Sequence, residues 1–185
     1  MSFDTVKPAD PKLTPAFAAM LPPSLFGGAT AFGVSFRVRF FGRGDDHGML
    51  FGSSENDGNH TSLFNLNYSS QTRFLFRIAL RGADGKRNYA NLVSSQNAMP
   101  GAWNHWWFDY DGERLLAYLN GVFDVGLLCA GLPLWTPDAP FALQLRGNAV
   151  AERTDFGEIA VWRDNLPTLE QMSAYRKDPA KLPAG

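Results

Sequence analysis

The chain is 185 residues long, enough for one domain with a substantial core, and its 14% aromatic and 19% charged residues mark a globular sequence and exclude a disordered one. A formal net charge of −1 supplies no general drive toward nucleic acid or acidic membranes. Cys129 is the single cysteine, which excludes an internal disulfide framework and a cysteine-based zinc site.

Residues 1–30 are punctuated by Pro8, Pro11, Pro15, Pro22 and Pro23. Proline fixes φ and removes a donor, so this segment reads as an extended arm with one short helical turn around "PAFAAM". It lacks a basic start followed by an unbroken apolar run, so no secretory signal is expected, and no stretch is long enough to span a membrane. At Ala31 the pattern switches to period two. In "AFGVSFRVRFF" Phe32, Val34, Phe36, Val38 and Phe40 share one face, with Ser35, Arg37 and Arg39 opposite, which predicts a half-buried strand.

Further strands are predicted at "GMLFGS", "TSLFNLNYS", "RFLFRIAL", "WNHWWFDY", "RLLAYLNG", "GVFDVGLL", "FALQLRG" and "TDFGEIAVW". Turn chemistry separates the first of them, in "GRGDDHG", "SENDGNH" and "RGADGKR". Many short alternating strands argue for an antiparallel sandwich or barrel. One helix is predicted near the end, where Thr168 and Gln171 form a capping-box pair and Leu169, Met172 and Tyr175 recur at helical spacing.

The strand from Trp103 to Tyr110 divides its rings between two faces: Trp106, Phe108 and Tyr110 on one, Trp103, His105, Trp107 and Asp109 on the other. "DYDGER" reads as a reverse turn, and Asn120-Gly121 as the preferred two-residue hairpin turn. The pattern Trp-x-His, apolar residues, Tyr-Asp-Gly, then Tyr-x-Asn-Gly resembles the central hairpin of laminin G-like domains in the concanavalin A-like superfamily. "FGEIAVWRDNLPTLEQM" is similar to that family's closing strand and short helix. The resemblance covers roughly residues 31–176 and implies a jelly roll of two antiparallel sheets. The expected organisation is an arm at 1–30, a sandwich at 31–176 and a tail at 177–185.

Trp106, Phe108 and Tyr110 are expected in the core, together with Phe36, Val38, Phe76 and Tyr118. The family hairpin carries a small residue where this chain has Trp107. That ring is therefore a ligand platform, an interface anchor or a ring covered by a local loop. Trp107, His105, Asp57, Asn59, Arg37 and Arg39 are the candidate ligand or interface residues. Arg37, Arg39, Arg73 and Arg77 could form a basic stripe for a polyanion, or pair across strands with acids such as Glu158.

The superfamily's sugar-cleaving enzymes carry an array of three alternating carboxylates on one strand, and retaining hydrolysis needs carboxyls about 5–5.5 Å apart. No strand here has that array, so no enzyme activity and no catalytic residue is expected. No cofactor is expected either. Calcium, which many relatives bind at the sandwich rim, has oxygen donors at Asp45, Asp46 and in "ENDGN" at 55–59, but neither stretch follows an ordered calcium loop. The sequons at Asn59 and Asn67 matter only on a eukaryotic secretory route.

The expected function is that of a noncatalytic structural or recognition protein. One form is a bacteriophage virion component, a decoration or tail protein in a homo-oligomer or lattice, able to bind surface glycan. Its arm would dock on neighbouring coat subunits through Phe3, Phe17, Leu21 and Phe26. The alternative is a free carbohydrate- or protein-binding module of a cell-surface or secreted protein, and a glycoside hydrolase is remote. No nucleic acid partner and no membrane insertion are expected.

Overall fold

The computed structural model describes residues 18–21, 23, 28–40, 48–54, 62–69, 73–136, 141–145, 154–178 and 181. Among the described residues eleven strands and one helix follow in order: β1 (Ala18–Leu21), β2 (Phe32–Phe40), β3 (Gly48–Ser54), β4 (Ser62–Ser69), β5 (Arg73–Arg81), β6 (Arg87–Val93), β7 (Trp103–Tyr110), β8 (Arg114–Leu119), β9 (Val122–Leu128), β10 (Phe141–Leu145), β11 (Thr154–Arg163) and α1 (Leu169–Lys177). They form two antiparallel sheets, one of six strands in the order β1-β10-β3-β4-β5-β6 and one of five in the order β11-β2-β7-β8-β9. The fold is the expected jelly roll with one short C-terminal helix.

Alternation builds the core. On the five-stranded sheet the inner rows carry Val34, Phe36, Val38, Trp106, Phe108 and Tyr110, and on the six-stranded sheet Phe74, Phe76 and Ile78, all buried. The sheets meet ring to ring. Phe74 lies edge-on to Trp106 with centroids 4.9 Å apart, and Phe76 stacks on Phe108 at 4.5 Å. Such contacts add to the area burial that dominates the core's stabilisation.

The β7–β8 hairpin is fixed at both ends. Asp111 accepts hydrogen bonds from the backbone N–H groups of Glu113 (3.0 Å) and Arg114 (2.7 Å), which closes the turn into β8. At the far end Asn120 (φ 53°) and Gly121 (φ 83°) both adopt the left-handed backbone a type I′ turn demands. Asn120 also binds back to β7: its Oδ1 accepts from the His105 N–H at 3.0 Å, and its own N–H donates to the His105 carbonyl at 2.8 Å. That reciprocal pair explains why an Asn belongs at 120: its carboxamide oxygen and its N–H both reach the backbone of residue 105.

Several expectations need correction. The "PAFAAM" turn is not helical at its end, because Ala18–Leu21 forms strand β1, paired antiparallel with Phe141–Gln144 of the same chain. Leu21 thus belongs to the sandwich edge and not to a detached arm, and the sandwich begins before residue 31. Phe3, Phe17 and Phe26 lie outside the described residues. Strand β6 is absent from the expected set: "RNYANLV" buries only Ala90 and Leu92, so its apolar alternation is too short to read. Tyr118 is half-buried and pairs with Trp107 on the outer face, not with the core. Leu169 faces solvent at 57% exposure, leaving Met172 and Tyr175 as the buried residues of α1.

Candidate functional site

The outer face of the five-stranded sheet carries most of the singled-out residues, and the structure divides it in two. Registers align Trp162, Gly33 and Asp109 in one row, then Ala160, Ser35, Trp107 and Tyr118, then Arg37 and His105, then Asp155, Arg39 and Trp103. α1 covers the first half. Its capping box holds its start: Thr168 Oγ1 accepts from the Gln171 N–H at 3.2 Å, and Gln171 Oε1 from the Thr168 N–H at 2.8 Å. Met172 and Tyr175 then pack onto Trp107, Ala160 and Trp162 as a second small core, with half-buried Leu166 and Tyr118 at its margin.

Trp107 is therefore neither a ligand platform nor an interface anchor. It is 1% exposed, stacked on Trp162 at 4.4 Å and capped edge-on by Tyr175 at 6.4 Å. Of the three readings open in the sequence, the structure holds a covered ring, with a helix and not a loop as the cover. The two readings that leave this ring accessible fail because the face opposite a sandwich core need not face water.

His105 is buried as well, so it does not face a ligand. Its Nε2 lies 2.7 Å from Ser35 Oγ, and its ring meets Trp107 and Tyr175 edge-on at 5.9 and 5.5 Å. Burial pulls its pKa down from 6.5 to about 4, and the charges of Arg37 and Arg176 push the same way. Asp109 is its counterpart. Burial raises the carboxyl from 3.8 to about 7, the hydrogen bond that Trp107 Nε1 donates to Oδ1 at 2.5 Å opposes this, and Asp111 adds to it. Gly33 lies beneath: a Cβ there would stand 2.6 Å from Asp109 Oδ1 and 3.0 Å from Leu166 Cδ2. This half of the face is a packed polar-aromatic core under α1.

The other half is open. Trp103 is 38% exposed, and the guanidinium carbons of Arg39 and Arg37 lie 5.0 and 6.0 Å from its ring centroid. Arg39 is anchored by Asp155, whose Oδ2 accepts from Nε at 3.1 Å and from Nη2 at 2.5 Å. β11 slips register between Phe156 and Ile159, and Gly157 in that irregularity leaves room for its neighbours, since a Cβ would lie 3.0 Å from Arg37 Cβ. The structure thus brings Arg37 and Arg39 together with Trp103, a ring outside the candidate ligand residues of the sequence. Arg73 and Arg77 sit on the other sheet, so the four arginines form no common stripe. Asp57, Asn59, Asp45 and Asp46 lie outside the described residues. Among the described residues, no three His, Cys, Asp or Glu side chains are grouped to hold a metal ion.

Two stacked sheets and a Trp-x-His hairpin locked by Asn120-Gly121 agree with a family match over residues 17–166 to the concanavalin A-like lectin/glucanases superfamily. The chain belongs to that superfamily. The match begins at residue 17, next to β1, so this concanavalin A-like domain includes the strand that the sequence assigned to an arm. No curated protein matches the chain.

Solved structures share the fold at low identity. The binding domain of botulinum neurotoxin serotype G superposes with a TM-score of 0.59 and 11% identity, over 82% of this chain and 37% of that one. The receptor binding domain of botulinum neurotoxin D gives 0.60 and 11%, over 95% and 41%, and the binding domain of Paraclostridial Mosquitocidal Protein 1 gives 0.58 and 14%, over 85% and 38%. The chain spans about two-fifths of the length of each. The superfamily name covers both lectins and glucanases, so membership does not by itself decide between binding and hydrolysis. Among the described residues, no helix is long and apolar enough to cross a membrane.

Proposed function

We propose that the chain is a noncatalytic recognition module that takes carbohydrate at the open half of its five-stranded sheet. The observation that carries this reading is Trp103: an indole held partly in solvent on a strand, braced by Arg37 and by an Arg39 that Asp155 fixes. An aromatic face packs on the C–H face of a sugar ring, while guanidinium groups donate to its oxygens. A site carried by strands is positioned more rigidly than one on loops. The noncatalytic part rests on three carboxylates of the β7–β8 hairpin and β11. Asp109 is sealed under α1, Asp111 closes a turn and Asp155 is held by Arg39, so none of the three is placed to act on a substrate.

The narrower reading, a virion surface component joined to neighbouring subunits by its first 30 residues, drew its force from apolar residues without a place on their own sandwich. Ala18–Leu21 has such a place at the edge of the six-stranded sheet, which favours the free module.

The test is Trp103→Ala, assayed by titrating a panel of neutral oligosaccharides. Loss of an exposed anchor should weaken binding by about ten-fold or more while the melting temperature stays near that of the parent. Undiminished binding by the variant, or release of reducing ends from any panel member, would refute the reading.

A further inference from the structure

Six of the nine large apolar side chains exposed among the described residues lie on two strands: Tyr89 and Val93 on β6, and Val122, Phe123, Leu127 and Leu128 on β9. Each strand ends its sheet, β6 the six-stranded one and β9 the five-stranded one. The two edges lie against each other on one side of the sandwich, where Asp124 of β9 accepts from the Ser95 and Gln96 N–H groups just after β6, at 3.0 Å each. The exposed apolar surface is therefore gathered on one flank. Single exposed apolar residues are ordinary, but a contiguous group of them marks a place where something docks.

β9 is the more open of the two edges. Val122 and Leu128, at its two ends, are 61% and 74% exposed. Val122 and Leu127 stand across from buried Leu119 and Leu115 at the rim of the core, whereas Phe123 and Leu128 stand across from Tyr118 and Arg114 on the outer face. The strand thus shows apolar side chains on both faces of the sheet. Its sequence, VFDVGLL, holds neither lysine nor proline, residues that commonly keep an edge from pairing. Its one charge, Asp124, is held by Ser95 and Gln96, and the slip in register at that residue leaves Val125–Leu128 regular. The opposite edge of the same sheet differs: on β11, Ile159, Ala160, Val161 and Trp162 are all buried.

Charge decides what this edge fits. Beside the start of β9 stands Arg176 of α1, whose Nε lies 3.7 Å from where a Gly121 Cβ would be, with Lys177 next to it. Beside its end stands Glu113, whose carbonyl accepts from the Cys129 N–H at 2.7 Å. Arg176 and Lys177 outnumber the following Asp178, and Arg114 is taken by Asp111, which leaves Glu113 unopposed among the described residues. One end of the flank is basic and the other acidic. A two-fold axis at β9 sets two copies antiparallel and brings each basic end to the partner's acidic end, about two strand spacings or about 10 Å away, roughly one Debye length. A second copy meets this reversal of charge by symmetry alone.

We propose that β9 pairs antiparallel with β9 of a second copy of this chain, joining two five-stranded sheets into one of ten strands. The backbone groups that an edge strand leaves unpaired supply the hydrogen bonds, and the apolar side chains on both faces supply the burial. The seven residues of β9 span about 24 Å, and a flank about 20 Å deep across two sheets gives about 500 Å² per copy, or about 1,000 Å² in all. That total stands at the lower bound for a specific interface and fits a dimer that exchanges with monomer. Trp103 lies on β7, two strands in from this edge, so the inference does not depend on the carbohydrate site.

The experiment is sedimentation velocity of the full chain from low micromolar to near-millimolar concentration. A reversible equilibrium between monomer and dimer, with no larger species, is expected because two-fold pairing uses up the edge. Val122→Lys and Leu128→Lys, both at exposed positions, should each weaken association about ten-fold or more, with melting temperatures near that of the parent monomer. Glu113→Lys should weaken it about five-fold at low ionic strength, and Lys177→Glu in the same chain should recover most of that loss. Trp103→Ala should leave the equilibrium unchanged, which keeps this proposal separable from the carbohydrate site. The proposal is overturned by a protein that stays monomeric throughout, by growth beyond the dimer, or by association indifferent to both lysine substitutions. It is overturned as well if Lys177→Glu fails to recover the Glu113→Lys loss, or if a monomeric protein takes a foreign extended peptide at β9.

Discussion

Replacing Asp109 by asparagine tests the sealed half of the outer face. The carboxyl is buried and accepts a hydrogen bond from Trp107 Nε1, yet the folded state holds its proton to about pH 7, whereas the unfolded chain releases it near 3.8. Between those values the folded protein binds more protons than the unfolded one, and stability must fall as pH rises. The difference of about 3 pH units corresponds to about 4 kcal/mol, present in full below pH 4 and lost by about pH 7. The amide of Asp109→Asn would keep an oxygen for Trp107 Nε1 and carry no titration. The variant should therefore gain about 4 kcal/mol relative to the parent between pH 4 and pH 7.5. Urea unfolding followed by tryptophan fluorescence at pH 4, 5.5 and 7.5 measures this. Carboxylates held low in the folded state, such as Asp111 and Asp164, are common to both proteins and cancel in the difference. A difference that stays constant within about 1 kcal/mol across this range would refute the assignment of a sealed, proton-holding Asp109.

His105 runs in the opposite sense: its folded-state value of about 4 against 6.5 unfolded means stability present above pH 6.5 and lost as pH falls to 4, by about 3 kcal/mol. In the parent this slope offsets that of Asp109 between pH 4 and 6.5, so His105→Gln should expose a fall in stability with rising pH, seen in urea midpoints. Trp107→Ala and Trp106→Ala should both cost about 3–5 kcal/mol, because both rings are fully enclosed, and a thermal melt showing a near-neutral Trp107→Ala would contradict the second core. Gly33→Ala should cost about 1–3 kcal/mol, since its Cβ would collide with Asp109 Oδ1, and Asp109→Asn would not relieve it; an unchanged denaturation midpoint would show that the backbone of β2 yields there.

Most of the sandwich was legible in the sequence because a strand with one face in the core writes its role as period two. β2, β5 and β7 carry long apolar rows, and the structure buries those rows as alternation requires. The hairpin turn was legible for a different reason: Asn-Gly is one of few pairs that adopt positive φ at both positions without strain. β1 and β6 were not legible. β1 is a four-residue edge strand after a proline-rich stretch, and β6 buries two side chains, so their existence depends on the neighbours that pair with them. The site was half legible. Arg37 and Arg39 could be placed on the outward side of β2, but alternation cannot tell water from a helix lying on that side. Trp103 and Trp107 have the same parity, and only the position of α1 separates an exposed ring from a buried one.

That position has its own signal, which runs along one strand. The outer row of β2 reads Gly33, Ser35, Arg37, Arg39, and that of β11 runs from Trp162 through Ala160 to Asp155. Small residues stand where Trp107 must lie down against the sheet and receive Met172 and Tyr175 from above. Long charged residues begin where the helix stops. A bulky side chain at 33 would collide with Asp109, and a small one at 39 would remove the guanidinium that Asp155 holds against Trp103. The gradient in side-chain size along β2 therefore does two things at once. It sets the footprint of α1, and by ending that footprint at His105 it leaves Trp103 in solvent. The outer row of β5 shows no comparable change: Arg73, Arg77 and Arg81 recur along it, and among the described residues no helix packs on that sheet. The two outer faces of one sandwich are thus specified differently, the first as part covered core with Trp103 left partly in solvent, the second by a row of arginines along β5.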